Sequence, residues 1–241
     1  MKIIQKVEDG RTDLILDLLK LDNVFEILSN HGDRLIKYAA YYGDVTAVRI
    51  LVARGIDLTM LGPNYDLNGA AFHGHWQLCQ YLLEQGANAN YPLSESGETP
   101  LHSCLSKINR RSTRYIVELL LYYGADPNAS TIPGRETGAF MRDARTYGET
   151  PLHRAAAFAS ESEIKMLINA GADKTSEDIN GDTALSWASW HARPGSILAL
   201  LSYGSHHIHP LHVKRMKSDH GFGYGGGIMG GLNGTLHMEE P

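Results

Sequence analysis

A chain of 241 residues, 43% of them hydrophobic and 20% charged, has room for one sizeable domain or two small ones and too much apolar content for a disordered segment. Its formal net charge of -5 makes it a poor general binder of polyanions, so nucleic acid is not the expected partner. Residues 1–10 carry early charges and no apolar signal core, and no apolar run approaches the roughly 20 residues that cross a bilayer, so a cytoplasmic protein without a membrane anchor is expected.

Residues 1–25 read as a reduced helical unit. Val7-Glu8-Asp9-Gly10 is followed by the apolar run Leu14-Ile15-Leu16-Asp17-Leu18-Leu19, which gives a helix–glycine–helix pattern without a preceding turn. About five repeats follow, near 30–58, 62–90, 95–128, 145–174 and 178–204. Each reads as a small-residue helix, a Leu-rich helix and a closing glycine: Gly55, Gly86, Gly124, Gly171 and Gly204, spaced 31, 38, 47 and 33 residues apart. Glu98-Thr99-Pro100-Leu101-His102 recurs as Glu149-Thr150-Pro151-Leu152-His153, with a weaker copy in Asp182-Thr183-Ala184-Leu185-Ser186. The physics of that motif is a helix start. Threonine caps the first free N–H groups, and proline occupies the first helical position, where a missing donor costs nothing. In the second helices Ile116, Leu119 and Leu120 fall on one stripe, as do Ile164, Leu167 and Ile168. Cys79 and Cys104 lie inside these apolar patterns and are expected as reduced, buried thiols.

The Thr-Pro-Leu-His tetrapeptides and a spacing near ~33 residues resemble the ankyrin family. The resemblance covers roughly residues 1–205 and implies an all-α solenoid of stacked helix-turn-helix units with β-hairpin-like connecting turns. It further implies a non-enzymatic, cofactor-free module that binds another protein through its concave first-helix face and its turn tips. The signature histidines, His102 and His153, are then expected to tie their turns rather than to catalyse. A monomer is expected. Two units depart from the signature, reading Arg34-Leu35-Ile36-Lys37 and Tyr65-Asp66-Leu67-Asn68 where Thr-Pro-Leu-His would stand.

The variable first-helix positions, four and five residues after the His slot, hold Tyr41 and Tyr42, Phe72 and His73, Ala157 and Phe158, and Trp190 and His191. Aromatics are only 8% of the chain, so their concentration here points to a partner-binding stripe, with the tightly packed slots beside it taken by alanine pairs. The alternative is that these rings fill gaps between repeats. Two insertions extend the turns. Residues 106–114 carry four positive charges, read as a solvated turn, and residues 132–147 contain Arg142 and Arg145 and offer Phe140, Met141 and Tyr147 as further candidate contacts, with packing of Phe140-Met141 on their own repeat as the alternative.

Little other chemistry is encoded. No catalytic motif accompanies the histidines. His206, His207, His209 and His212 could offer imidazoles to a metal, but Pro210 interrupts the helix that would align them, and a solvated segment is preferred. Residues 206–218 are a possible capping helix, and 219–241 a glycine-rich flexible tail with eight glycines between Gly221 and Gly234. A second reading is an adaptor or effector whose repeats deliver this His/Gly-rich segment to a target.

Overall fold

A computed structural model describes residues 2–107, 111–137 and 145–204. Over these the chain is helical, and the strand-like pairing among the described residues consists of two isolated antiparallel bridges, Glu136 with Arg145 and Glu177 with Thr183. The N-terminal unit is α1 (Lys2–Glu8) and a short α2 (Ile15–Leu18). Five helix pairs follow: α3 (Val24–Tyr41) with α4 (Val45–Ala53), α5 (Leu67–His73) with α6 (Trp76–Glu84), α7 (Pro100–Cys104) with α8 (Arg111–Tyr122), α9 (Pro151–Phe158) with α10 (Glu161–Asn169), and α11 (Ala184–Trp190) with α12 (Gly195–Leu201). First helices stack on first helices, α5 on α7 and α9 on α11, and second helices stack behind them, α6 on α8 and α8 on α10.

Apolar spacing explains the stacking. Leu82, Leu101, Ile116, Leu120, Leu152 and Leu167 are fully buried in one continuous core that runs the length of the array. Each such side chain contributes about 1.5–3 kcal/mol over an exposed one. Cys79 and Cys104 belong to this core, and burial pushes both thiols well up, which leaves them inert. One boundary differs from the sequence reading. The break expected between residues 25 and 30 does not exist, because residues 24–41 form a single helix. Gly32 permits it: it is buried under Ile56, whose Cδ1 would lie 2.2 Å from any added Cβ.

A side-chain rung joins α5, α7 and α9 each to the next turn. In α7 the amide of Thr99 donates to Nδ1 of His102, 3.2 Å away, so the proton sits on Nε2, which donates to the carbonyl of Glu149 at 3.1 Å. The pattern repeats at Thr150 and His153, whose Nε2 reaches the carbonyl of Asp182 at 3.0 Å. Asn68, which stands in the histidine slot, performs the same task by donating to the carbonyl of Glu98 at 2.9 Å. Burial holds His102 down to about 3 and lowers His153 as well, so both rungs are neutral.

The expected segments 206–218 and 219–241 and the histidine cluster lie outside the described residues, as do Phe140, Met141 and Arg142. Among the described residues no set of His, Cys, Asp and Glu side chains converges as metal ligands, and no helix is long and apolar enough to cross a membrane.

Candidate binding surface

The aromatic pairs land in the last turn of each first helix. Gly43 and Gly74, with φ of 75° and 82°, then turn the chain into the second helix. One turn earlier, Ala39 and the pair Ala70-Ala71 pack into the core, so the first helices approach closely while their ends present rings.

In the first three repeats those rings form a connected cluster. Tyr41 is 58% exposed, and its ring lies edge-on to His73 at 5.1 Å. His73 lies edge-on to Phe72 at 5.2 Å and stacks on His75 at 5.7 Å. His75 fixes the edge of the cluster by donating Nε2–H to the carbonyl of Tyr41 at 2.9 Å. Lys107, from the loop after α7, sits 3.7 Å above the Phe72 ring, a cation–π contact worth roughly 0.5–1 kcal/mol at an exposed site. Beside them Trp76 meets Tyr115 at 5.7 Å, both exposed. Tyr42 has a structural duty: its hydroxyl donates to the carbonyl of Glu8 at 2.9 Å and its ring covers Gly10, which ties α1 to α3.

The stripe does not continue. Phe158 is 9% exposed and Trp190 5%, and Ala157 is buried beside them. Phe158 lies edge-on to the half-buried His191 at 5.1 Å, His191 stacks on Trp187 at 6.4 Å, and Arg193 closes the gap by donating to the carbonyls of Ala157, at 2.7 Å, and Ala159. Cations suit that place, since the carbonyls end α9. The expected exposed face is therefore corrected for Phe158 and Trp190, which are both buried. Burial lowers the pKa of His191. Tyr147 is half-buried and packs against the core; its amide donates to Glu149 Oε2 at 2.7 Å and its carbonyl accepts from the amide of Ile179 at 2.8 Å. The hairpin stem of the long turn is held by Thr146, whose hydroxyl donates to the carbonyl of Ile132 and whose amide donates to that of Arg135 at 2.9 Å.

Beneath the long turn lies a buried charge cluster that sequence reading passes over. Arg154 reaches Glu98 at 2.7 Å and Glu149 at 2.6 Å, and all three side chains are at most 3% exposed. Further donors complete it: Ser96 to Glu98 Oε2 and Thr131 to Glu149 Oε2, each at 2.7 Å. Burial alone would raise the Glu149 carboxyl, but Arg154 and the Tyr147 amide outweigh it and hold it below its ordinary value. The available signal is a glutamate directly before both Thr-Pro steps, with an arginine directly after His153 where Ser103 follows His102.

The stacked helix pairs, the capped Thr-Pro starts and the histidine rungs define a repeat protein built to present a surface. A family model described as "Ankyrin repeats (3 copies)" matches residues 67–131 and 135–209, more than half of the chain. The chain belongs to the ankyrin-repeat family, whose members are protein-interaction modules and are generally not enzymes. It is 28% identical to an ankyrin repeat protein of Fowlpox virus over 68% of this chain and 45% of that protein. It is 32% identical to the human ankyrin repeat and SOCS box protein 16 over 64% of this chain and 30% of that protein. An L-asparaginase of Dirofilaria immitis matches at 29% over 63% of this chain and 23% of the enzyme. The chain thus spans less than half the length of each of these relatives.

Proposed function

We propose that this chain holds a partner protein on the first-helix face and adjoining loop edge of its first three repeats. One observation carries the reading: the exposed Tyr41 and the half-buried His73 and Phe72 form a ring cluster on stacked helices, with Lys107 over Phe72. Rings held by their neighbours lose little rotamer freedom on contact, and such anchors dominate binding energy. Tyr42 borders the surface beside Tyr41, while Phe158 and Trp190 are buried in the fourth and fifth repeats.

The test is affinity capture from a native lysate with the wild type, a Tyr41→Ala/Phe72→Ala double variant and a Tyr122→Ala control, each verified as folded by circular dichroism. Tyr122 is 83% exposed and ends a second helix rather than a first. Partners lost by the double variant and kept by the control support the reading; undiminished capture by the double variant sinks it.

A further inference from the structure

Between α3 and α5 lies a cleft of about 450 Å³. Its walls are rings: Tyr38 and Tyr41 from α3, and Tyr65 from the turn before α5. Ala40, Gly69 and Ala70 also line it, with the Asp66 carboxylate lying over Gly69. The Tyr65 wall is set by an unusual backbone. Asn64, Tyr65 and Asp66 have φ of 52°, 56° and 55°, three successive non-glycine residues in the left-handed region. Such residues cost of order 1 kcal/mol each and persist only where their surroundings hold them. Here Asn64 is held from both ends, donating to the carbonyl of Asn88 at 3.0 Å and accepting from its amide at 2.7 Å.

Two acids along this edge are engaged in capping: Asp44 accepts from the amide of Ala47 at 2.9 Å to start α4, and Asp66 from that of Gly69 at 3.2 Å to start α5, while Asp33 and Glu118 are exposed. Arg34, on the cleft rim, is paired with Glu8. Lys37, Arg111 and Arg114 are exposed and Lys107 is half-buried. Lys37 is on the cleft rim, Lys107 lies over Phe72, and Arg111 and Arg114 open α8 beside Tyr115. Lys37, Arg111 and Arg114 form no ion pair among the described residues. A chain of net charge -5 thus carries cations at Lys37, Arg111 and Arg114 near its ring cluster.

We infer that the α3–α5 cleft, lined by Tyr38, Tyr41 and Tyr65, receives one bulky apolar side chain of an acidic peptide segment, whose carboxylates lie along Lys37, Arg111 and Arg114. The inference rests on the proposed first-helix surface and adds the chemistry of the occupant. The apolar anchor fills the ring-walled space, and the flanking carboxylates supply register and a salt-sensitive attraction.

Selection of phage-displayed random dodecapeptides on the full chain tests it. The expected enriched peptides carry an aromatic or large aliphatic residue among Asp and Glu. Synthetic copies should bind about tenfold more weakly to Lys37→Glu and to Tyr41→Ala, weaken with added salt, and bind Lys165→Glu unchanged. Enrichment of basic or uncharged peptides overturns the inference, as does the absence of any enriched family, or acidic peptides indifferent to Lys37→Glu and Tyr41→Ala. Peptides of other composition that still lose binding to Tyr41→Ala/Phe72→Ala leave the first-helix surface standing and remove only its acidic occupant. Peptides unaffected by all of these substitutions remove both.

Discussion

Arg154 of the fourth repeat and Glu98 of the third meet at 2.7 Å with their side chains 3% and 0% exposed, so the stack is locked by charge at the position where the chain makes its longest excursion. Glu149, from the end of that excursion, takes the other face of the same guanidinium.

Arg154→Met should therefore cost about 3–5 kcal/mol, because it leaves two buried carboxylates without their cation. Urea unfolding monitored by circular dichroism measures it. Adding Glu98→Gln and Glu149→Gln should recover most of the loss. A single variant within about 1 kcal/mol of wild type would mean that the cluster contributes nothing. Since the folded Glu149 carboxyl lies below its ordinary value, its contribution is present above the ordinary carboxylate range and is lost as pH falls through the folded value.

The histidine rungs give stability a second, higher pH dependence. Burial holds His102 at about 3 against an ordinary 6.5, so the unfolded chain takes up the proton first. Stability should fall as pH drops below 6.5 and continue falling toward about 3. Between neutral pH and pH 5 the loss should be about 2 kcal/mol for His102, with a contribution of the same sign from His153. His102→Asn, which copies the rung of Asn68, should keep part of the hydrogen bonding and flatten this dependence. Unfolding curves of both proteins across pH decide it; an unchanged slope in the variant would refute the assignment.

The two ends of the aromatic set should respond oppositely. Trp190→Ala removes a side chain 5% exposed and should cost about 3–5 kcal/mol of stability. Tyr41→Ala removes one 58% exposed and should change stability by about 1 kcal/mol or less while weakening partner capture. Thermal melts beside capture assays separate the two. Equal destabilisation would erase the distinction drawn between them.

Gly43→Ala tests how the cluster is held. Its φ of 75° disfavours a Cβ, and that Cβ would lie 2.4 Å from Nδ1 of His75. Strain of about 1–2 kcal/mol is expected, together with displacement of the ring that holds the Tyr41 carbonyl. Gly55→Ala has φ of 91° and nothing within 4 Å, so it should carry the strain alone. A melting comparison and the His75 ring resonances in NMR distinguish them; identical behaviour would show that His75 does not matter.

The repeats are legible in the sequence because the Thr-Pro-Leu-His starts and the closing glycines at 124 and 171 are local signals, each with its own physical reason. What sequence reading does not supply is the approach of one repeat to the next. Phe158 and Tyr42 sit in the same slot, yet Phe158 is covered because His191, Trp187 and Arg193 crowd its end of the array, and none of those partners follows from periodicity. The long α3 escapes sequence reading because its helix starts at residue 24 and runs through the repeat start expected near 30, with Ile56 packed on Gly32. The Glu98–Arg154–Glu149 cluster joins residues far apart in sequence, so no local window contains it.

The rungs carry one more consequence. Asn68 to Glu98, His102 to Glu149 and His153 to Asp182 span 30, 47 and 29 residues of chain, while the hydrogen bonds that close them measure 2.9, 3.1 and 3.0 Å. The contour length between successive floors of the stack varies by half, and the storey height does not. The turns can therefore lengthen, shorten or change composition without altering the pitch of the array, which leaves their tips open to variation while the rungs stay fixed.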